Sequence, residues 1–213
     1  MKIGVFDSGK GGTTVLAEIK KALPEAEYYY IGDSANCPYG DKTDEELMQI
    51  VREHVETLKN WGAEVIVIAC NTATTRCIER LRAMYPELKF VGTEPAVKLA
   101  ADSGAHQILV MATVGTVNAE RTRKLMQENQ KPGQEITLLA CPGLADAIER
   151  DENIDETLDA ILAEYLRSGE NPDIVVLGCT HYSLIKDKIE QRFPDADVID
   201  GNEGVKNRVL EIL

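Results

Sequence analysis

Short apolar runs recur along the chain, with longer amphipathic stretches between them. The runs at 3–6, 27–31, 65–69, 89–92, 107–111, 136–140, 174–178 and 197–199 have strand length. The stretches 13–22, 44–60, 73–84, 95–102, 117–129, 144–150, 155–167, 182–192 and 203–212 predict helices. Strands alternating with helices imply an α/β protein with parallel sheets. The central runs are almost continuously apolar, as expected where helices cover both faces of a sheet.

Two segments repeat one pattern. Glu64-Val-Ile-Val-Ile-Ala-Cys70-Asn-Thr-Ala-Thr74 and Asp173-Ile-Val-Val-Leu-Gly-Cys179-Thr-His-Tyr-Ser183 each run from an acid through an apolar strand to a cysteine and a polar helix start. An aromatic-proline pair follows each, Tyr85-Pro86 and Phe193-Pro194. The eight strands therefore divide four and four. This predicts two similar domains related by a pseudo-twofold axis, each a parallel-type sheet with flanking helices. Residues 1–94 plus 201–213 are expected to form the first and 95–200 the second. The terminal helix should then return toward the first domain. Ligands of open α/β sheets bind beyond the carboxyl ends of the strands. Asp7, Asp33, Cys70, Thr113, Cys141 and Cys179 all fall at such ends, so the active site is expected in a cleft between the domains.

The net charge of −13 argues against general nucleic-acid binding and against attraction to an anionic membrane surface. It leaves room for an anionic ligand, because backbone N–H groups at a helix start bind anions locally. No apolar stretch approaches the roughly 20 residues that span a bilayer. Met1-Lys2-Ile3 runs directly into a strand, without the pattern of a secretory leader. Five cysteines at 37, 70, 77, 141 and 179 have neither a disulfide-framework nor a zinc-site spacing, and no metal site is expected. A cytoplasmic, reduced location fits that usage.

Asp7-Ser8-Gly9-Lys10-Gly11-Gly12-Thr13 links a strand to a helix but has neither the P-loop nor the G-x-G-x-x-G spacing, which favours a carboxylate over a nucleotide. Cys70 and Cys179 sit at helix starts, a position expected to lower a thiol pKa. Asn71, Thr72 and Thr180 suit capping or carboxylate binding. His181, two residues beyond Cys179, is placed to assist proton movement. His54 and His106 lack such neighbours, Cys77 reads as packing, and Cys37 reads as a non-reacting neighbour of the cleft.

With these residues in hand, the chain resembles the glutamate racemase family, within the wider aspartate/glutamate racemase group. The resemblance rests on Val5-Phe6-Asp7-Ser8-Gly9, Gly11-Gly12, Gly32-Asp33, Pro38-Tyr39-Gly40, Ala69-Cys70-Asn71-Thr72-Ala73-Thr74 and Gly178-Cys179-Thr180-His181-Tyr182, in that order. It implies a cofactor-independent racemase in which Cys70 and Cys179 act as acid and base on opposite faces of glutamate. By the same resemblance Asp7, Glu149 and His181 assist those thiols. Asp7, Ser8, Tyr39, Gly40, Asn71, Thr72, Thr180 and His181 hold substrate, with Thr113 and Thr116 as weaker candidates. The implied purpose is D-glutamate for bacterial peptidoglycan, and a homodimer is left open. Lys10 and Thr13-Thr14 depart from the family's usual Val and Leu-Ser, and the family pattern usually continues beyond the position of Leu213. Three rivals stand beside this reading: a racemase for aspartate or a related acid, a non-catalytic protein that binds acidic ligands, and a thiol-redox protein.

Overall fold

Val65–Ile68 (β3) is four consecutive β-branched residues, all buried, and it lies inside a sheet because nothing in it tolerates water. Its partners are Lys2–Asp7 (β1), Glu27–Gly32 (β2) and Lys89–Gly92 (β4), all parallel, in the order β2-β1-β3-β4. The second sheet contains Gln107–Ala112 (β5), Glu135–Ala140 (β6), Ile174–Leu177 (β7) and Asp197–Asp200 (β8). Its order, β6-β5-β7-β8, repeats that of the first. The computed structural model describes residues 1–213.

The repeated acids have matching mechanical roles. Glu64 accepts the N–H of Lys2 at 3.0 Å, and Asp173 accepts those of His106 and Gln107 at 2.7 and 2.9 Å. Each carboxylate thus ties the start of a central strand to its neighbour.

Helices Thr13–Ala22 (α1), Asp44–Trp61 (α2), Asn71–Met84 (α3) and Val97–Asp102 (α4) follow β1 to β4. Val114–Asn118 (α5), Glu120–Asn129 (α6), Leu144–Arg150 (α7) and Ile154–Arg167 (α8) belong to the second half, with Thr180–Ser183 (α9) and Lys186–Arg192 (α10) after β7. Asn202–Ile212 (α11) closes the chain. The start of α2 is fixed by a reciprocal cap: Thr43 Oγ1 accepts the N–H of Glu46, and Glu46 accepts that of Thr43. Its end is fixed by Gly62, whose φ of 91° suits a residue without Cβ.

Leu47, Val51, Val55 and Leu58 of α2 cover one face of the first sheet through Phe6, Ile66 and Ile68. The other face packs Ile3, Val5, Val65 and Val67 against Val15 and Ile19 of α1 and Val205 and Val209 of α11. In the second sheet, α7, α8 and α10 cover Leu109, Met111, Val175 and Leu177. Ile108, Val110, Ile174 and Val176 pack under α4. Each fully buried aliphatic side chain contributes roughly 1.5–3 kcal/mol of transfer free energy.

Two predicted helices are interrupted. The stretch 117–129 is divided at Ala119, whose extended backbone (φ −67°, ψ 134°) ends α5 and opens α6. The stretch 182–192 starts earlier, at Thr180, and is broken before Lys186, where Ile185 leaves helical geometry (φ −120°, ψ 25°). Ile185 is buried in the second core, so packing has taken precedence over helical continuity.

Candidate active site

Both sheets bring their carboxyl ends to one place. Cys70 follows β3 and caps α3, its Sγ accepting the N–H of Ala73 at 3.5 Å. Cys179 follows β7 at the matching point of the second sheet and precedes α9. Both thiols are buried.

Asp7, at the end of β1, is fully buried. Its Oδ2 accepts the N–H groups of Gly12 at 2.9 Å and Gly9 at 3.3 Å, and its Oδ1 accepts the Thr180 hydroxyl at 3.2 Å. The glycine turn makes this meeting of the halves possible. A Cβ on Gly11 would lie 2.6 Å from the His181 nitrogen and 2.7 Å from the Thr180 carbonyl carbon. Absence of a side chain lets the turn touch the backbone after Cys179.

On the other side of Cys179, His181 Nδ1 lies 3.9 Å from Sγ and Nε2 lies 2.7 Å from Glu149 Oε2. Glu149, on α7, reaches back across the cleft: its Oε2 accepts the Lys10 N–H at 2.9 Å, and its Oε1 accepts the Ser34 hydroxyl. Burial alone would raise the Glu149 carboxyl, but the bonds from Ser34, Lys10 and His181 outweigh it and hold it below its usual range.

Thr72, at the start of α3, meets Thr113 and Thr116 of the second half. The three hydroxyl oxygens lie 2.9, 3.1 and 3.2 Å apart, all buried. Gly40 lies against the same corner, where an added Cβ would be 3.4 Å from that of Thr113. Tyr39 beside it donates to Asp33 at 2.7 Å, and Asp33 also contacts His54 Nε2 at 2.9 Å and Asn36 at 3.0 Å. Ser8 is buried near Cys70. Asn71 is buried too, and its Oδ1 has no partner.

The expected lowering of the thiol pKa values is overturned. Burial, with the negative charge of Asp7, pushes Cys70 up to about 11 despite the N–H of Ala73 and the Ser8 hydroxyl. Burial, with Cys70 opposite, raises Cys179 well above the usual thiol range. Helix-start position stabilises a thiolate only where water or a cation completes the solvation, and a packed cleft supplies neither. Burial likewise lifts the Asp7 carboxyl, although His181 and the bonds from Gly12, Thr180 and Gly9 act the other way.

Residues 3–205 match the family described as Asp/Glu/Hydantoin racemase. The chain belongs to that family. It is 39% identical over 208 residues to the glutamate racemase of Clostridium perfringens, covering 95% of this chain and 79% of that protein. With the glutamate racemase of Campylobacter curvus it shares 40% identity over 224 residues, covering 100% of this chain and 83% of the relative. The crystal structure of Escherichia coli glutamate racemase with L-glutamate and the activator UDP-MurNAc-ala superposes with a TM-score of 0.87 at 32% identity. That alignment covers 98% of this chain and 80% of that one.

Within this racemase-family fold, every candidate read from the sequence lies around the one cleft: Asp7, Ser8, Tyr39, Gly40, Cys70, Asn71, Thr72, Thr113, Thr116, Glu149, Cys179, Thr180 and His181. Sequence reasoning missed three participants in its bonding. Ser34 and the Lys10 backbone both bind Glu149, and His54, read as structural or at the surface, bonds to Asp33. The signal for His54 was Asp33 itself, an acid at a strand end that needs a partner once buried, and α2 supplies it. A groove of about 900 Å³ is lined by Arg82, Glu94, Lys98, Arg121 and Arg208 among others and includes none of the cleft residues. No helix is long and apolar enough to cross a membrane.

Proposed function

We propose that this protein interconverts L- and D-glutamate without a cofactor, supplying D-glutamate for peptidoglycan, with Cys70 and Cys179 as the two acid/base groups. The observation that carries this reading is the pair of buried thiols at equivalent strand ends of two matching sheets, in a chain about 40% identical to glutamate racemases.

One thiolate takes the Cα proton and forms a thiol. The opposite thiol gives its proton to the other face of the carbanion and becomes the thiolate. The reverse reaction exchanges their roles, so neither direction needs an external acid. An amino-acid Cα–H is a very weak acid, so the site must stabilise the charge that spreads into the α-carboxylate. The hydroxyls of Thr72, Thr113, Thr116 and Thr180 and the backbone at Ser8 and Gly40 supply donors. Asn71 Oδ1 and Asp7 supply acceptors for the substrate ammonium. Arrival of that ammonium also provides the positive charge that a buried thiol lacks, favouring thiolate once substrate is bound. His181, oriented by Glu149, passes a proton to or from Cys179, while Asp7 serves the Cys70 side. The cleft is packed shut by cross-half contacts, so substrate enters by separation of the halves and closure then excludes water.

The same reading divides the chain into 1–94 plus 201–213 and 95–200, supported by α11 packing on α1 through Val205 and Val209.

Cys70→Ala and Cys179→Ala each should reduce racemisation of both enantiomers by at least about a thousandfold while circular dichroism reports an intact fold. Rates are read by polarimetry and by deuterium uptake at Cα in D₂O, with L-Glu, D-Glu and L-Asp compared. Full two-way activity in either variant would exclude the two-thiol scheme, and faster exchange of L-Asp would transfer the chain to the aspartate-racemising branch.

A further inference from the structure

Cys37 has no part in the scheme above, yet its sulfur does not stand alone. It shares a corner of the cleft with Glu149 and His181, and one donor atom from each lies within 4.8 Å of the others. We propose that Cys37, Glu149 and His181 bind a thiophilic divalent cation of the zinc type, and that its binding switches the racemase off. The inhibition rests on the racemase reading; the binding does not.

The donor set argues for the class of ion. A thiolate, an imidazole and a carboxylate suit zinc and its neighbours, whereas magnesium and calcium prefer oxygen shells. Tetrahedral zinc, with bonds of about 2.0–2.3 Å, holds such donors roughly 3.3–3.6 Å apart. The 4.8 Å limit on the cluster therefore calls for adjustments of about an ångström. Three protein donors leave a fourth position for water or a substrate carboxylate.

The surroundings favour a cation. The carboxylates of Glu149, Asp7 and Asp146 lie close enough to act on the Cys37 thiol and give the corner a negative field. Those groups discourage a bare thiolate but attract the ion that would replace its proton, which leaves to solvent. Glu149 is already fixed by Ser34 and the Lys10 N–H, so the carboxylate is oriented before any ion arrives. Cys37 and Glu149 are partly exposed, which gives the ion a path from outside.

Blocking follows from which atoms are taken. The cation takes the lone pairs of His181 Nε2 and Glu149 Oε2 in place of their hydrogen bond, and the displaced proton passes to Nδ1, or to solvent where Nδ1 already carries one. The imidazole is then held by the metal and no longer exchanges protons with Cys179. The distances between Cys37, Glu149 and His181 in sequence explain why cysteine spacing gave no hint of the site.

The test uses the full chain in chelator-free buffer with cobalt(II) chloride, then zinc chloride. Cobalt should produce a near-ultraviolet thiolate-to-cobalt charge-transfer band that disappears in Cys37→Ser and Cys37→Ala and weakens in Glu149→Gln and His181→Asn. Zinc at a concentration that slows the unmodified enzyme at least about tenfold should slow Cys37→Ser, whose rate without metal is unchanged, less than about twofold. Absence of the band, its persistence without Cys37, or equal zinc inhibition of both proteins would overturn the proposal. A Cys37-dependent band in a protein that racemises nothing would keep the metal site and remove the racemase reading.

Discussion

At Cys70 and Cys179 two effects oppose each other, and burial exceeds the influence of the helix start. With Cys70 raised to about 11 and Cys179 also pushed well above the usual thiol range by burial, the free protein at neutral pH holds both sulfurs as thiols. The working state needs one thiolate. Its population in the free protein grows tenfold per pH unit below the thiol pKa, so kcat/KM should climb between about pH 6.5 and 9.5. A pH profile of initial rates checks this, and a profile that falls across that range would contradict it. The His54–Asp33–Tyr39 group makes a different prediction. His54→Ala removes one donor from a buried carboxylate whose pKa is held down, against burial, by His54, Tyr39 and Asn36. Tyr39 then loses its fixed acceptor geometry and the Gly40 backbone loosens. Glutamate KM should rise about threefold to tenfold, with kcat within about twofold, and His54→Gln should restore most of the affinity.

At the scale of elements, strands were more legible than helices. The central strand runs were readable because parallel strands buried on both faces are continuously apolar, whereas the half-exposed Glu27–Gly32 was marked by its tyrosines and Ile31. The breaks at Ala119 and Ile185 were hidden because the cause is tertiary: Ile185 serves the second core rather than a helical face. The thiol pKa values failed for the same reason, since position at a helix start can be read from sequence but the dryness of the cleft cannot. The Cys-Thr-His and Cys-Asn-Thr pattern, by contrast, led to residues that the fold brings together, because it lies where two strands end. The glycine turn before α1 offers a direct test of how closely the halves must approach. Gly11→Ala would press a methyl group into the rigid backbone of Thr180 and His181, costing about 1–3 kcal/mol. It would also displace the Thr180–Asp7 bond, so kcat should fall about tenfold to a hundredfold. Thermal unfolding and steady-state rates measure the two effects separately.

Across the whole molecule, the two sheets share one strand order but not one set of helpers. The first thiol is accompanied by Asp7 and the second by His181 with Glu149. Each helper is tied to the opposite half, Asp7 through Thr180 and Glu149 through Ser34 and Lys10, so the halves are coupled at the site itself. Away from it, α11 lies on α1 although it follows the last strand of the second sheet. Val209 is fully buried there, and Val209→Ala should lower stability by about 1–3 kcal/mol without altering glutamate KM. Leu213→Ala, at an exposed position, should change it by less than about 0.5 kcal/mol. Denaturant titration distinguishes these outcomes.

The triangle of Thr72, Thr113 and Thr116 has a consequence for which guests the cleft admits. Three oxygens and three mobile protons can close into a ring in which every O–H is used. A guest that only accepts can draw one proton outward, and the ring opens into a chain that strands nothing but a lone pair. A guest that only donates meets the free lone pairs of Thr72 and Thr116 without breaking the ring, whereas Thr113 Oγ1 is already filled by the Thr116 N–H at 3.2 Å. The corner therefore answers a hydrogen bond of either direction by turning its own protons, and it does so with no fixed positive charge in a protein of net charge −13.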